Sequence, residues 1–172
     1  MNHLFRVSLV LFVLQIVVQS NVKAQTLSSS SEVRTEIIIE GTPDQIWKLL
    51  INFSEYQNWH PYFCEVSGSV EKGKYLNFKT KQLDGSPDGK FRAKLLEIEP
   101  MKDLSWGGNA WFFFKAKHYF HLIKVDDKHT KLIQGEYWRG LFGKSYGKKY
   151  YPGLLEKFER LNETIKIIVE SK

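Results

Sequence analysis

The chain has 172 residues, is 42% hydrophobic, 15% aromatic and 26% charged, and carries a formal net charge of +6. That length suits one domain, and the balance of apolar and charged residues excludes a disordered chain. Five Pro, twelve Gly and one Cys exclude a collagen-like sequence, an internal disulfide framework and a Cys-rich zinc module.

Residues 1–6 hold one basic residue and no acid, and residues 7–18 (VSLVLFVLQIVV) are apolar apart from Ser8 and Gln15. Val22 and Ala24 stand at the −3 and −1 positions of a cut before Gln25. This is the pattern of a secretory signal peptide over residues 1–24. The apolar run is too short for a membrane span, which needs about 20 residues. The expected location is therefore outside the cytoplasm, periplasmic or secreted. Arg6 and Lys23 leave with the signal and no acid does, so the remaining 148 residues carry 23 basic and 19 acidic groups, a net +4. That weak charge on an exported chain argues against nucleic acid. Cys64 then stands alone, either as a small buried apolar residue or as half of an intermolecular disulfide.

Residues 25–32 (QTLSSSSE) read as a flexible linker before a domain over residues 33–171. Residues 33–40 (VRTEIIIE) read as a strand. Thr42 suits an N-cap and Pro43 the first helical position, and Ile46, Trp47, Leu49, Leu50 and Phe53 mark an amphipathic helix. A second helical turn over residues 54–58 ends before Pro61. Extended segments are expected over residues 62–70, 75–83, 91–99, 104–110, 115–125 and 130–140. Turns are expected at residues 71–74, 84–89 and 100–103.

The last two strands can be read for parity. Lys131 and Arg139 mark the solvent side of one, so Leu132, Gln134, Glu136 and Trp138 face inward. Lys115 and Lys117 do the same for the other, so Ala116, His118, Phe120 and Leu122 face inward. An odd-numbered loop is then required, and a three-residue loop at residues 127–129 sets Phe120 opposite Glu136 and His118 opposite Trp138. His118 and Glu136 become diagonal neighbours. Finally, Leu154, Leu155, Phe158, Leu161, Ile165, Ile168 and Val169 recur at helical spacing, so an 18-residue helix is expected over residues 152–169, with Pro152 in its first turn. The fold class is α+β: a curved antiparallel sheet wrapped around a long C-terminal helix, with two short helices after the first strand.

Several stretches resemble the SRPBCC superfamily, the START-like, helix-grip group, and within it small bacterial members of the polyketide cyclase/dehydrase type. They are residues 43–47 (PDQIW), 53–62 (FSEYQNWHPY), 97–106 (EIEPMKDLSW), 117–122 (KHYFHL), 135–141 (GEYWRGL) and 158–166 (FERLNETIK). Together they run through nearly all of residues 33–171. His60 stands where the family commonly has Asn. The resemblance implies a cavity for a hydrophobic small molecule, without fixing a reaction.

Parity and this resemblance together nominate Trp59, His60, Phe78, Trp106, His118, Phe120, Gln134, Glu136, Trp138 and Phe158 as ligand contacts. His118 and Glu136 are the candidates for acid–base catalysis. The same polar groups could instead form a satisfied buried network. Three function classes stay open: a binder of a lipid, isoprenoid or polyketide-like molecule, a cyclase-type enzyme, and a protein-interaction module. Trp111, Phe112, Phe113 and Phe114 cannot all point inward on a strand, so at least two face a second surface, a partner or a membrane. Arg139, Lys144, Lys148 and Lys149 interleave with Tyr146, Tyr150 and Tyr151 as a solvated loop, or as a portal flap touching anionic lipid or an acidic ligand. No cofactor is expected. His118 and His121 lie on opposite strand faces, so no metal site is expected either.

Overall fold

The computed structural model describes residues 31–171. The expected signal peptide and nearly all of the expected linker lie outside the described residues. The chain order is β1 (Glu32–Glu40), α1 (Pro43–Ile51), a 3-10 turn (Phe53–Glu55), α2 (Tyr56–Trp59), β2 (Phe63–Gly68), β3 (Tyr75–Lys81), β4 (Pro87–Glu99), β5 (Asp103–Ala110), β6 (Phe114–Lys124), β7 (His129–Arg139) and α3 (Gly143–Glu170).

The seven strands form one antiparallel sheet in the order β1-β7-β6-β5-β4-β3-β2. Sequence neighbours pair throughout except for β1 and β2, which lie on opposite edges. The short helices carry the chain from one edge to the other. Thr42 caps α1 by accepting from the Gln45 backbone N–H at 3.3 Å, while the Gln45 side chain accepts from the Thr42 N–H at 2.8 Å. This capping box satisfies amides that the first helical turn leaves open. At the far end of α1, the buried Tyr56 hydroxyl donates to the Leu50 carbonyl at 2.6 Å. Burial holds that phenol well above its ordinary pKa, so it stays a donor.

α3 packs across β1 and β7, with Leu161, Ile165 and Val169 in one apolar cluster with Ile39, Leu132, Phe120 and Trp106. Each such side chain contributes about 1.5–3 kcal/mol by leaving water. Gly41 permits the close approach of the helix end: a Cβ there would stand 2.4 Å from Val169 Cγ1. A separate cluster joins Val33, Trp138 and Phe158 to Phe114, Ala116, Tyr146 and Leu154. The helix thus grips one side of the sheet, chiefly against β1 and β7.

Three expectations are corrected. α3 has 28 residues and starts at Gly143, nine positions before Pro152. It is about 42 Å long at 1.5 Å per residue. The basic-aromatic stretch is therefore helix, not loop or flap. Tyr146 supplies the reason: it packs on Phe114 at 4.9 Å and on Trp138 at 5.6 Å, so burial rewards helix across a proline that removes one backbone hydrogen bond. β4 begins at Pro87, four residues early, and the turn signal at residues 84–89 shrinks accordingly. Proline is tolerated there because it is the first residue of the strand. Residues 125–128 join β6 to β7, and the pair nearest the turn is Lys124 with Thr130, so five residues lie between paired positions where three were expected. The Asp126 carboxylate accepts from the Lys128 and His129 backbone N–H groups, both at 2.8 Å, and this closes the longer loop. The register moves by two residues, parity is kept, and His118 lies directly opposite Glu136, with Phe120 opposite Gln134.

Candidate functional site

A cavity of ≈ 610 Å³ lies between the sheet and α3. Its walls come from β4, β5, β6, β7, α3 and the segment around His60. Trp106 and Phe158 form apolar sides, and Ala116 also lines it. Its exposed lining residues lie at the start of β4 (88–92) and the end of β5 (108–110), which marks its open side.

The polar centre is the pair His118 and Glu136. β6 and β7 present them side by side on the inner face, and His118 Nδ1 stands 3.7 Å from Glu136 Oε2. That is ion-pair range but longer than a hydrogen bond. The indole Nε1 of Trp138 donates to Glu136 Oε1 at 2.8 Å. The His118 ring stacks on Trp106 at 4.7 Å and meets the edge of Phe158 at 5.1 Å. Its Nε2 is buried and has no protein partner among the described residues. The arrangement is a carboxylate with one anchored oxygen, beside an imidazole clamped between aromatic rings.

His60 lines the same cavity. It is 4% exposed, lies parallel to Phe63 at 4.1 Å, and its Nδ1 accepts from the Tyr62 and Phe63 backbone N–H groups at 3.1 and 3.0 Å. An imidazole that accepts at Nδ1 carries its proton on Nε2 and is neutral. Burial, then the neighbouring His118 and Lys81, push its pKa well below the ordinary 6.5. The sequence nominated His60 as a ligand contact; the two backbone N–H groups that bond its ring come from a tight turn that spacing does not reveal.

The ten nominated contacts separate. His60, Trp106, His118, Glu136 and Phe158 line the cavity. Phe78 and Phe120 stand one layer behind, packed on Trp106 at 5.6 Å each. Trp138 is buried beneath Glu136. Gln134 is buried next to β1, and neither amide atom has a partner among the described residues. Trp59 lines a separate surface depression with Arg160 and Gln82. The inward parity was correct for Phe120, Gln134 and Trp138, but the helix covers these positions before they reach the cavity. Phe63, Phe91, Tyr146, Leu154 and Lys157 line the cavity without having been nominated. Leu154 belonged to the helical spacing read after Pro152, and Tyr146 continues it about two turns upstream.

Cys64 is half-buried on the edge strand β2, with its Sγ 3.4 Å from the Lys79 carbonyl, so it is not the fully buried apolar residue expected. Among the described residues no group of three His, Cys, Asp or Glu side chains is placed to hold a metal ion. No helix among them is long and apolar enough to cross a membrane.

A curved seven-stranded sheet gripping one long helix around an aromatic cavity defines a helix-grip protein. Residues 30–161 match the family described as polyketide cyclase/dehydrase and lipid transport, and the chain belongs to that SRPBCC-type family. Solved structures share the fold at low identity. A Rhodobacter sphaeroides protein is 13% identical with a TM-score of 0.68, covering 87% of this chain and 99% of its own. A Helicobacter pylori protein is 15% identical with a TM-score of 0.64, covering 82% and 89%. The di-domain ARO/CYC BexL from the BE-7585A biosynthetic pathway is 13% identical with a TM-score of 0.63; the match covers 81% of this chain and 46% of that one. No curated protein matches the chain.

Proposed function

We propose that the protein binds a hydrophobic or amphipathic small molecule carrying a hydroxyl or carbonyl group, outside the cytoplasm. The observation that carries this reading is the ≈ 610 Å³ cavity with aromatic walls and one polar pair, His118 and Glu136, on its inner face. Cavities of about 300–1,000 Å³, apolar with a few convergent polar groups, suit lipid- or drug-sized ligands. Membership of a family whose description spans cyclases, dehydrases and lipid transport supports a small hydrophobic ligand. The extracytoplasmic location rests on residues 1–24 alone.

The test is native mass spectrometry of the protein purified from its host, together with Ala116→Leu, which narrows the cavity. Extra mass on the wild type, lost in A116L with the fold intact, is expected. A repeatedly empty wild type, with no melting shift against lipid and polyketide panels, would overturn the reading.

A second reading is an enzyme of cyclase type, favoured by the 3.7 Å approach of His118 to Glu136. Glu136 would take a proton from an activated C–H or O–H of the bound chain, and His118 would hold the carbonyl oxygen that gains charge. In this reading Glu136→Gln and His118→Ala abolish turnover while ligand still binds.

A further inference from the structure

β5 ends at Ala110 and β6 begins at Phe114, so Trp111, Phe112 and Phe113 form the turn between them and project from the sheet. Trp111 is 81% exposed and Phe112 56%. Beside them, the segment entering α3 exposes Leu141 at 68% and Phe142 at 54%. The two segments are one unit. The Phe142 N–H donates to the Phe113 carbonyl at 3.0 Å, and the rings of Phe113 and Phe142 stack at 6.1 Å. Gly140 makes this junction possible: its φ is +91°, and a Cβ there would stand 2.7 Å from the Phe112 carbonyl oxygen. Trp111 is held at φ 54°, a left-handed conformation costly for a bulky residue, and this turns its indole outward.

Cations surround the apolar tip. Lys115 and Arg139 pair across β6 and β7 at its base, and Lys144, Lys148 and Lys149 follow on the first turns of α3. Residues 104–125 and 137–155 contain no Asp or Glu. The positive end of the α3 dipole points to the same side. Ala110 and Phe114, which flank the turn, also line the cavity, with Ala110 on its open side.

We propose that this tip is a docking surface for an anionic phospholipid bilayer, seating the open side of the cavity against the lipid. A projecting Trp and Phe cluster ringed by Lys and Arg matches the chemistry of the membrane interface, where aromatic rings enter the headgroup layer and cations meet lipid phosphates. The charge argues for lipid over an apolar protein partner. The docking surface goes beyond the cavity reading, because it stands on side chains outside the cavity.

The test uses the full chain with Cys64→Ser and a single introduced cysteine bearing an environment-sensitive fluorophore. One version carries it at the tip (Phe112→Cys), the other in the β6–β7 turn beyond the far end of β6 (Lys128→Cys). This placement separates docking by the tip from any attachment through residues 1–24. With phosphatidylcholine vesicles containing phosphatidylglycerol, emission at position 112 is expected to shift blue and brighten several-fold, with little change at position 128. Adding Lys144→Glu and Lys148→Glu is expected to remove the shift. The proposal is overturned by no shift at 112, by equal shifts at 112 and 128, by an equal shift with phosphatidylcholine alone, or by a shift that self-association produces without lipid. The mass of co-purified ligand, read from the same preparations, tests the cavity separately.

Discussion

The Trp138 indole holds one oxygen of Glu136 at 2.8 Å, and the other oxygen stands 3.7 Å from His118. Both residues lie on β7, two positions apart on one face, so the strand's own pleat supplies the clamp. A carboxylate oriented this way keeps its free oxygen toward the imidazole without a second loop or helix to hold it.

This relationship can be measured by two substitutions. Glu136→Gln keeps an acceptor for the indole and is expected to cost about 1 kcal/mol of stability, the loss of charge assistance to one hydrogen bond. Trp138→Phe removes the donor from a buried site and is expected to cost about 2–3 kcal/mol. Chemical denaturation of both variants checks the order. Equal costs would mean that the indole does not anchor the carboxylate.

His60 makes stability depend on pH. Its folded pKa lies below its unfolded value, so below about 6.5 the unfolded chain binds a proton that the folded chain refuses. The contribution is present in full above that pH and declines as pH falls, by up to about 1.4 kcal/mol per unit. His60→Asn retains an acceptor for the Tyr62 and Phe63 amides but does not titrate. Denaturation between pH 7 and 5 is expected to show a shallower loss for H60N than for the wild type; parallel curves would show that His60 is not the group responsible.

Pro152 reports on the length of α3. Inside a continuous helix it forfeits a hydrogen bond and crowds the preceding turn, so Pro152→Ala is expected to stabilise the protein by about 1–3 kcal/mol. In the first turn of a shorter helix the same change would be neutral or unfavourable. Thermal unfolding of P152A distinguishes the two.

Ile165 is fully buried where α3 crosses β1 and β7. Ile165→Ala is expected to cost about 2–5 kcal/mol through lost burial and a cavity that the rigid sheet cannot close. A value below 1 kcal/mol by urea titration would show that the grip is looser than the packing implies.

Much of this protein is local and was legible in its sequence. The Thr42 and Pro43 signals set the start of α1, and Lys131 and Arg139 set the parity of β7, because capping chemistry and strand alternation act over a few residues. Parity brought His118 and Glu136 to one face before any tertiary contact was known. The same parity could not say which inward residues would reach the cavity: Phe120, Gln134 and Trp138 share the face of His118, yet only the path of α3 decides that they are covered. Tertiary packing also overrode one local signal and located another. Pro152 reads as a helix start, but burying Tyr146 against Phe114 and Trp138 extends the helix through it. The four aromatics at residues 111–114 predicted a second surface without locating it. Only tertiary contacts, the hydrogen bonds from Phe142 to Phe113 and from Leu141 to Phe112 across 29 residues of sequence, join two loops into one exposed tip beside the cavity.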